Sequence, residues 1–201
     1  MRKTTTSVVI PTYTISGDLE ILAAKCAKSL READEIIICE DGGTFSEMLK
    51  NESDCYIFNR KNVGFSANVN RGWKMATGDF VMIVNSDIEK ISGNLSDLCV
   101  EGKVTSPKIE NQRIEGLAGC FFVVPRKVFE QRGMLLEQLR TYCSDEEYGH
   151  RTKDIFQKIE SVTVSHARSQ TMEAAKVDQT RETDRDKQIY EQLIEKGQAA
   201  H

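Results

Sequence analysis

The chain has 201 residues, 39% of them hydrophobic and 29% charged, with a net charge of −4. That is room and composition for one ordinary globular core, and it excludes a disordered or fibrous chain. Basic residues are spread rather than run together, which excludes a charge-driven grip on nucleic acid. No stretch approaches the roughly 20 apolar residues of a transmembrane segment, and the apolar run after Met1-Arg2-Lys3 is too short for a signal peptide. The six cysteines are widely separated, and no C-x-x-C pair occurs. These features predict a soluble, cytoplasmic protein with reduced thiols, attached to a membrane at most peripherally.

Residues 7–10 form a β-branched run closed by Pro11 and predict a buried strand. Leu19, Leu22, Cys26 and Leu30 recur at helical steps through 17–33 and predict an amphipathic helix. Residues 35–39, E-I-I-I-C, are apolar without alternation, as in a parallel strand covered on both faces. A short helix at 45–50, a strand at 55–59, the Asn62-Val63-Gly64 turn, a helix at 66–76 and a strand at 80–84 follow. Strand, helix, strand repeats, and the predicted class is α/β, a Rossmann-like open and mostly parallel sheet with helices on both faces.

Beyond residue 90 the pattern loosens. Strands are expected at 104–109, 119–124 and 162–165, with helices at 126–132 and 145–159. From Met172 the chain is strongly charged, and Ile189, Leu193 and Ile194 give only a narrow stripe before Gly197, so a loosely packed helical tail is expected. Trp73, on the 66–76 helix, is read as core. The whole is read as one domain, divided at about residue 90 and about residue 170 into two parts and the tail, 171–201.

Ligands of open α/β sheets bind beyond the carboxyl ends of the strands. Three polar clusters sit there: Thr12-Tyr13, Glu40-Asp41-Gly42 and Asn85-Ser86-Asp87. Each alone is as readily a turn. Together, S-V-V-I-P-T-Y, I-C-E-D-G-G, N-V-G-F-S-A-N-V-N-R-G and A-T-G-D-F-V-M-I-V-N-S-D resemble, in order and spacing, the nucleotide-sugar half of the family 2 glycosyltransferases. The resemblance runs from Ser7 to about Glu89 and resumes more weakly at Gly119 and at 143–151.

The resemblance implies the GT-A fold, with about 1–90 for nucleotide-sugar binding and about 91–170 for acceptor and catalysis, and metal-dependent, inverting transfer of a hexose-type sugar from a nucleotide-sugar donor to a glycan or other hydroxyl acceptor. UDP-sugar is the first choice, dTDP- or GDP-sugar the alternatives. It places Pro11 and Tyr13 against the nucleoside and Asp41 on the pyrimidine edge, where a carboxylate accepts a ring N–H. Asn68 would face the nucleotide, although Asn68 and Arg71 are equally readable as surface polar residues. Asn85-Ser86-Asp87 occupies the D-x-D position, with Asn85 and Ser86 at the donor and Asp87 ligating Mn²⁺ or Mg²⁺. His166, at the end of the last expected strand, is a second contact to metal or diphosphate. Ser144-Asp145-Glu146-Glu147-Tyr148-Gly149-His150-Arg151 resembles the block carrying the base; Asp145 is that base by position and Glu146 the second candidate. Ser144 and Glu147 also spell a capping box.

Asn85 and Ser144 stand where acids are commoner, which leaves open a catalytically silent nucleotide-sugar or partner-binding module of the same fold. A dinucleotide oxidoreductase is disfavoured, because no G-x-G-x-x-G follows the first strand.

Overall fold

The structure is a computed structural model and describes residues 3–166 and 179–195. Its first half holds β1 (Thr6–Thr12), β2 (Glu35–Asp41), β3 (Cys55–Asn59) and β4 (Phe80–Val84), joined through helices α1 (Gly17–Ser29), α2 (Glu47–Asn51) and α3 (Phe65–Met75). The four strands lie side by side in the order β3-β2-β1-β4, each pair parallel. Successive residues of β1 supply opposite faces: Val8 and Ile10 enter one core cluster with α1, and Val9 enters the other with Trp73. This two-sided burial explains the unbroken apolar runs.

On α1 the buried face is built from Leu19, Ala23, Ala24, Cys26 and Ala27, small side chains more than the expected leucines. Leu22 is only half-buried. The helix starts where the Ser16 hydroxyl accepts the Leu19 N–H at 3.4 Å.

The second half contributes β5 (Ile88–Ser92), β6 (Val104–Ile109), β7 (Phe121–Pro125) and β8 (Phe156–His166), with α4 (Arg126–Arg132), α5 (Ser144–Arg151) and a last helix, α6 (Gln179–Glu195). The sheet order is β3-β2-β1-β4-β7-β6-β8-β5. β7 runs antiparallel to both β4 and β6, β8 lies parallel to β6, and β5 is antiparallel to β8. Parallel pairing therefore holds in four of the seven neighbouring pairs.

Three local expectations are corrected. The helix expected over 145–159 ends at Arg151, and Phe156 already opens β8; pairing with β6, some fifty residues earlier in the chain, overrides the local pattern. Strand β5, directly after Asp87, has no local signal of comparable strength, and its partner is the distant β8. The charged tail is not loose over Gln179–Glu195: Leu193 is 6% exposed and packs with Leu139, Leu136, Cys143, Ile189 and Tyr190. Residues 167–178 and 196–201, including the start of the tail and its expected stop at Gly197, lie outside the described residues. Among the described residues no helix is long and apolar enough to cross a membrane. Trp73 is fully buried against Phe122, Phe129 and Tyr148, as expected.

Candidate active site

The chain lays β2 and β3 to one side of β1 and then returns to place β4 on the other, and ligand crevices open at this kind of reversal. A cavity of about 280 Å³ lies there. Pro11 and Tyr13 line it from the end of β1, Asp41 from β2, Asn68 from α3, Asn85, Ser86 and Asp87 from the end of β4, and His166 from the end of β8. All the residues singled out for donor and metal thus line one cavity.

Asp41 is 4% exposed. Its carboxylate accepts the N–H of Val63 at 2.8 Å, the N–H of Gly64 at 2.9 Å and the Asn59 amide at 3.3 Å. Burial pushes the carboxyl up, and those donors oppose the shift. Gly64 turns there with φ +93°, and a Cβ would run into Arg140, so the glycine serves both the turn and the Asp41 contact. Asp41 therefore fastens the 62–64 turn to β2 while presenting the rest of its carboxylate to the cavity wall.

Asn68 departs from the surface reading. It is 1% exposed, donates to the Cys39 carbonyl at 2.7 Å and accepts from Asn59 at 2.8 Å. Its amide is spent tying α3 to β2, which makes it a support of the wall. Arg71 is exposed, as that reading has it, and donates to Asn59.

At the other end of the cavity the Asp87 carboxylate meets His166 Nε2 at 2.9 Å. The pairing of Ile88 with His166 across β5 and β8 brings together residues 79 apart. Burial works against a charged His166, but the Asp87 and Cys120 side chains outweigh it and lift the imidazole to about 10. A histidinium is no ligand, so a bound cation displaces that proton. Asn85 is fixed by its N–H, which donates to the Cys120 carbonyl at 2.9 Å, while its Oδ1 is buried with no hydrogen-bond partner.

Carboxylate, imidazole and an orphaned amide oxygen fit a hard or borderline divalent cation. Among the described residues there is no group of three or more His, Cys, Asp or Glu side chains that closes a metal cage. The set suits a cation held partly by one or two protein groups and partly by phosphate oxygens and water.

Asp145 lies in the first turn of α5 and outside the cavity lining. Its carboxylate sits against Gly119, where an added Cβ would collide with it. The next residue, Cys120, holds the Asn85 N–H, so Asp145 adjoins the cavity across two residues of backbone. Burial raises its pKa, opposed by backbone N–H groups of Asp145, Glu146 and Gly119. Glu146 is exposed, and its carboxyl is raised by partial burial and by the Asp145 charge.

The capping box does not form: the N-cap is Cys143, in a left-handed conformation at φ 59°, and Ser144 is the first helical residue. Glu147 is structural for another reason. It is fully buried and grips Arg151 at 2.6 and 2.8 Å, while the Arg151 guanidinium lies 4.8 Å from the Tyr148 ring centre.

Asn62, Phe65, Thr141 and Tyr142 also line the cavity, and the sequence reading did not single them out for it. Asn62 and Phe65 fall within the N-V-G-F block. Thr141 and Tyr142 lie in an irregular segment with no periodic signal, and their position follows from contacts with α6.

Residues 7–98 match the family model described as Glycosyl transferase family 2. The fold resembles S. aureus TarS 1-349, with 16% identity, a TM-score of 0.59, and coverage of 79% of this chain and 60% of that one. It also resembles the Mycobacterium tuberculosis glucosyl-3-phosphoglycerate synthase solved with Mn²⁺, UDP and glucosyl-3-phosphoglycerate: 14% identity, TM-score 0.63, 86% and 75% coverage. A third match is the mannosyltransferase PcManGT of Pyrobaculum calidifontis with GDP-Man and Mn²⁺, at 13% identity, TM-score 0.63, and 84% and 58% coverage. This chain thus spans about three fifths of the length of the TarS and PcManGT structures.

Proposed function

We infer, from the match of residues 7–98 to the glycosyl transferase family 2 model, that the chain is a glycosyltransferase moving a sugar from a nucleoside diphosphate to an acceptor hydroxyl with inversion. The observation that carries this reading is that Tyr13, Asp41, Asn85, Asp87 and His166 face one cavity, with Asp145 beside it.

In this reading Pro11 and Tyr13 offer apolar surface to base and ribose, and Asp41 accepts a hydrogen bond from the ring N–H of uracil or thymine, which cytosine cannot supply; a UDP-sugar is the first choice of donor, with dTDP- and GDP-sugars the alternatives. Asp87, His166 and the orphaned Asn85 oxygen would hold Mn²⁺ or Mg²⁺, which would supply charge neutralisation for the departing diphosphate. The M. tuberculosis and P. calidifontis structures contain Mn²⁺ with UDP and GDP-Man respectively. Asp145, with Glu146 as the alternative, takes the acceptor proton as the hydroxyl oxygen bonds to the anomeric carbon and the carbon–phosphate oxygen bond breaks toward the nucleoside diphosphate. The domain reading, with the donor half to about residue 90 and the acceptor half beyond, belongs to this proposal. So does a reducing, cytoplasmic setting, supported by six free thiols.

The test is thermal unfolding with UDP-, dTDP- and GDP-sugars in the presence and absence of Mn²⁺ or Mg²⁺, followed by donor turnover. UDP-sugar with metal should stabilise the protein and be consumed. Metal-dependent binding with no hydrolysis or transfer to any acceptor tried would favour the silent module, and no binding at all would overturn both.

A further inference from the structure

The 139–143 segment lies between the cavity and the base's helix, and it is held from two sides. On one side the Ser66 hydroxyl, in the first turn of α3, donates to the Leu139 carbonyl at 2.5 Å. On the other, the Asp186 carboxylate of α6 accepts the N–H of Thr141 at 2.7 Å and the N–H of Tyr142 at 2.8 Å. Thr141 and Tyr142 line the cavity, and the next residue, Cys143, is the left-handed cap from which α5 and Asp145 start.

Asp186 is fully buried although it sits on a charged helix. Burial alone raises its carboxyl, but the backbone amides of Tyr142, Thr141 and Arg140 and the Arg185 side chain outweigh this and hold it below the usual aspartate range. A buried ion is a costly way to dock a helix that already has Leu193, Ile189 and Tyr190 for the purpose. What a carboxylate does and a leucine does not is fix the direction of two consecutive backbone N–H groups.

We propose that Asp186 is a positioning residue for the donor site, holding the Thr141–Tyr142 wall and the start of the Asp145 helix in the posture that nucleotide binding uses. The proposal rests on the transferase reading of the cavity, because it assigns the wall a donor. α6 is then part of the site without touching the reacting atoms.

The experiment compares the 201-residue chain with Asp186→Asn, with Leu193→Ala, which loosens α6 by its apolar contact, and with Leu95→Ala, a core substitution on the 3-10 turn Leu95–Leu98 away from the cavity. Amide exchange at Thr141 and Tyr142 should quicken at least tenfold in Asp186→Asn and Leu193→Ala and stay at the wild-type rate in Leu95→Ala. The dissociation constant for UDP with Mn²⁺ should rise at least fivefold in the same two variants and not in Leu95→Ala, even where all three lose similar melting temperature. Wild-type exchange at both amides in Asp186→Asn overturns the proposal, as does quickened exchange with an unchanged UDP constant, or equal weakening in Leu95→Ala. If wild-type protein binds none of UDP, GDP or dTDP with Mn²⁺, the transferase reading fails by itself, and exchange alone then decides whether Asp186 holds the wall.

Discussion

Between Thr6 and Val84 the strands all pair in parallel, β1 with β2 and β2 with β3 across one helical crossover each and β4 back on β1, whereas from Ile88 onward the strands mix directions and β5 and β6 both find the distant β8. The two regions carry different parts of the site. The first supplies Pro11, Tyr13, Asp41 and Asn85 to Asp87 from strand ends and the loops that directly follow them; the second supplies His166 by sheet register and Asp145 by a helix set at a strained cap. The proposed donor floor thus rests on the parallel region alone, while the proposed base and the histidine depend on closure of the whole sheet.

The largest effect expected from breaking this division is at Asp145. Asp145→Asn should lower transfer turnover by about 10²–10⁴, the range of a lost general base, with UDP affinity nearly unchanged; turnover close to wild type would move the base to Glu146. Next is the buried pair that fixes the same helix. Glu147→Ala leaves the Arg151 guanidinium, 8% exposed, without its carboxylate and should cost about 3–5 kcal/mol in denaturant unfolding. A cost below about 1 kcal/mol would show the pair to be solvated.

A smaller effect is expected at a contact within the second region. Gly119→Ala puts a methyl into the Asp145 carboxylate and should reduce turnover about tenfold, an order-of-magnitude cost for a misplaced catalytic group, while nucleotide binding and folding persist. The smallest is a pH effect. Burial raises the Asp145 carboxyl, so its basic form disappears at a higher pH than for an ordinary aspartate of about 3.9. The acid limb of kcat/KM should lie above that value and be absent from the residual rate of Asp145→Asn.

The same contrast decides what was readable. β1, β2 and β4 are apolar runs that end in polar residues, and their burial on both faces follows from a composition visible within each segment. The wall residues on their tips were legible for that reason, through the spacing of the motif blocks. Only the first four residues of β8, 156–159, read as helix, because their pairing with β6 is not visible in the local sequence. Asn68 reads as an ordinary polar residue on a helix, and only the closeness of Asn59 and the Cys39 carbonyl turns it inward. Asp186 had no signal at all: an aspartate among charged neighbours is indistinguishable in sequence from a solvated one until a loop some forty residues earlier is laid across it.

The meeting of Asp87 with His166 also fixes an order of events during synthesis. The aspartate emerges from the ribosome early, at the tip of a strand whose parallel neighbour has already been made. Its imidazole belongs to the final residue of β8, a strand that pairs with both β6 and β5. A growing chain shorter than 166 residues therefore carries the acidic tip without its companion, and this corner of the molecule is completed among the last of the sheet's contacts.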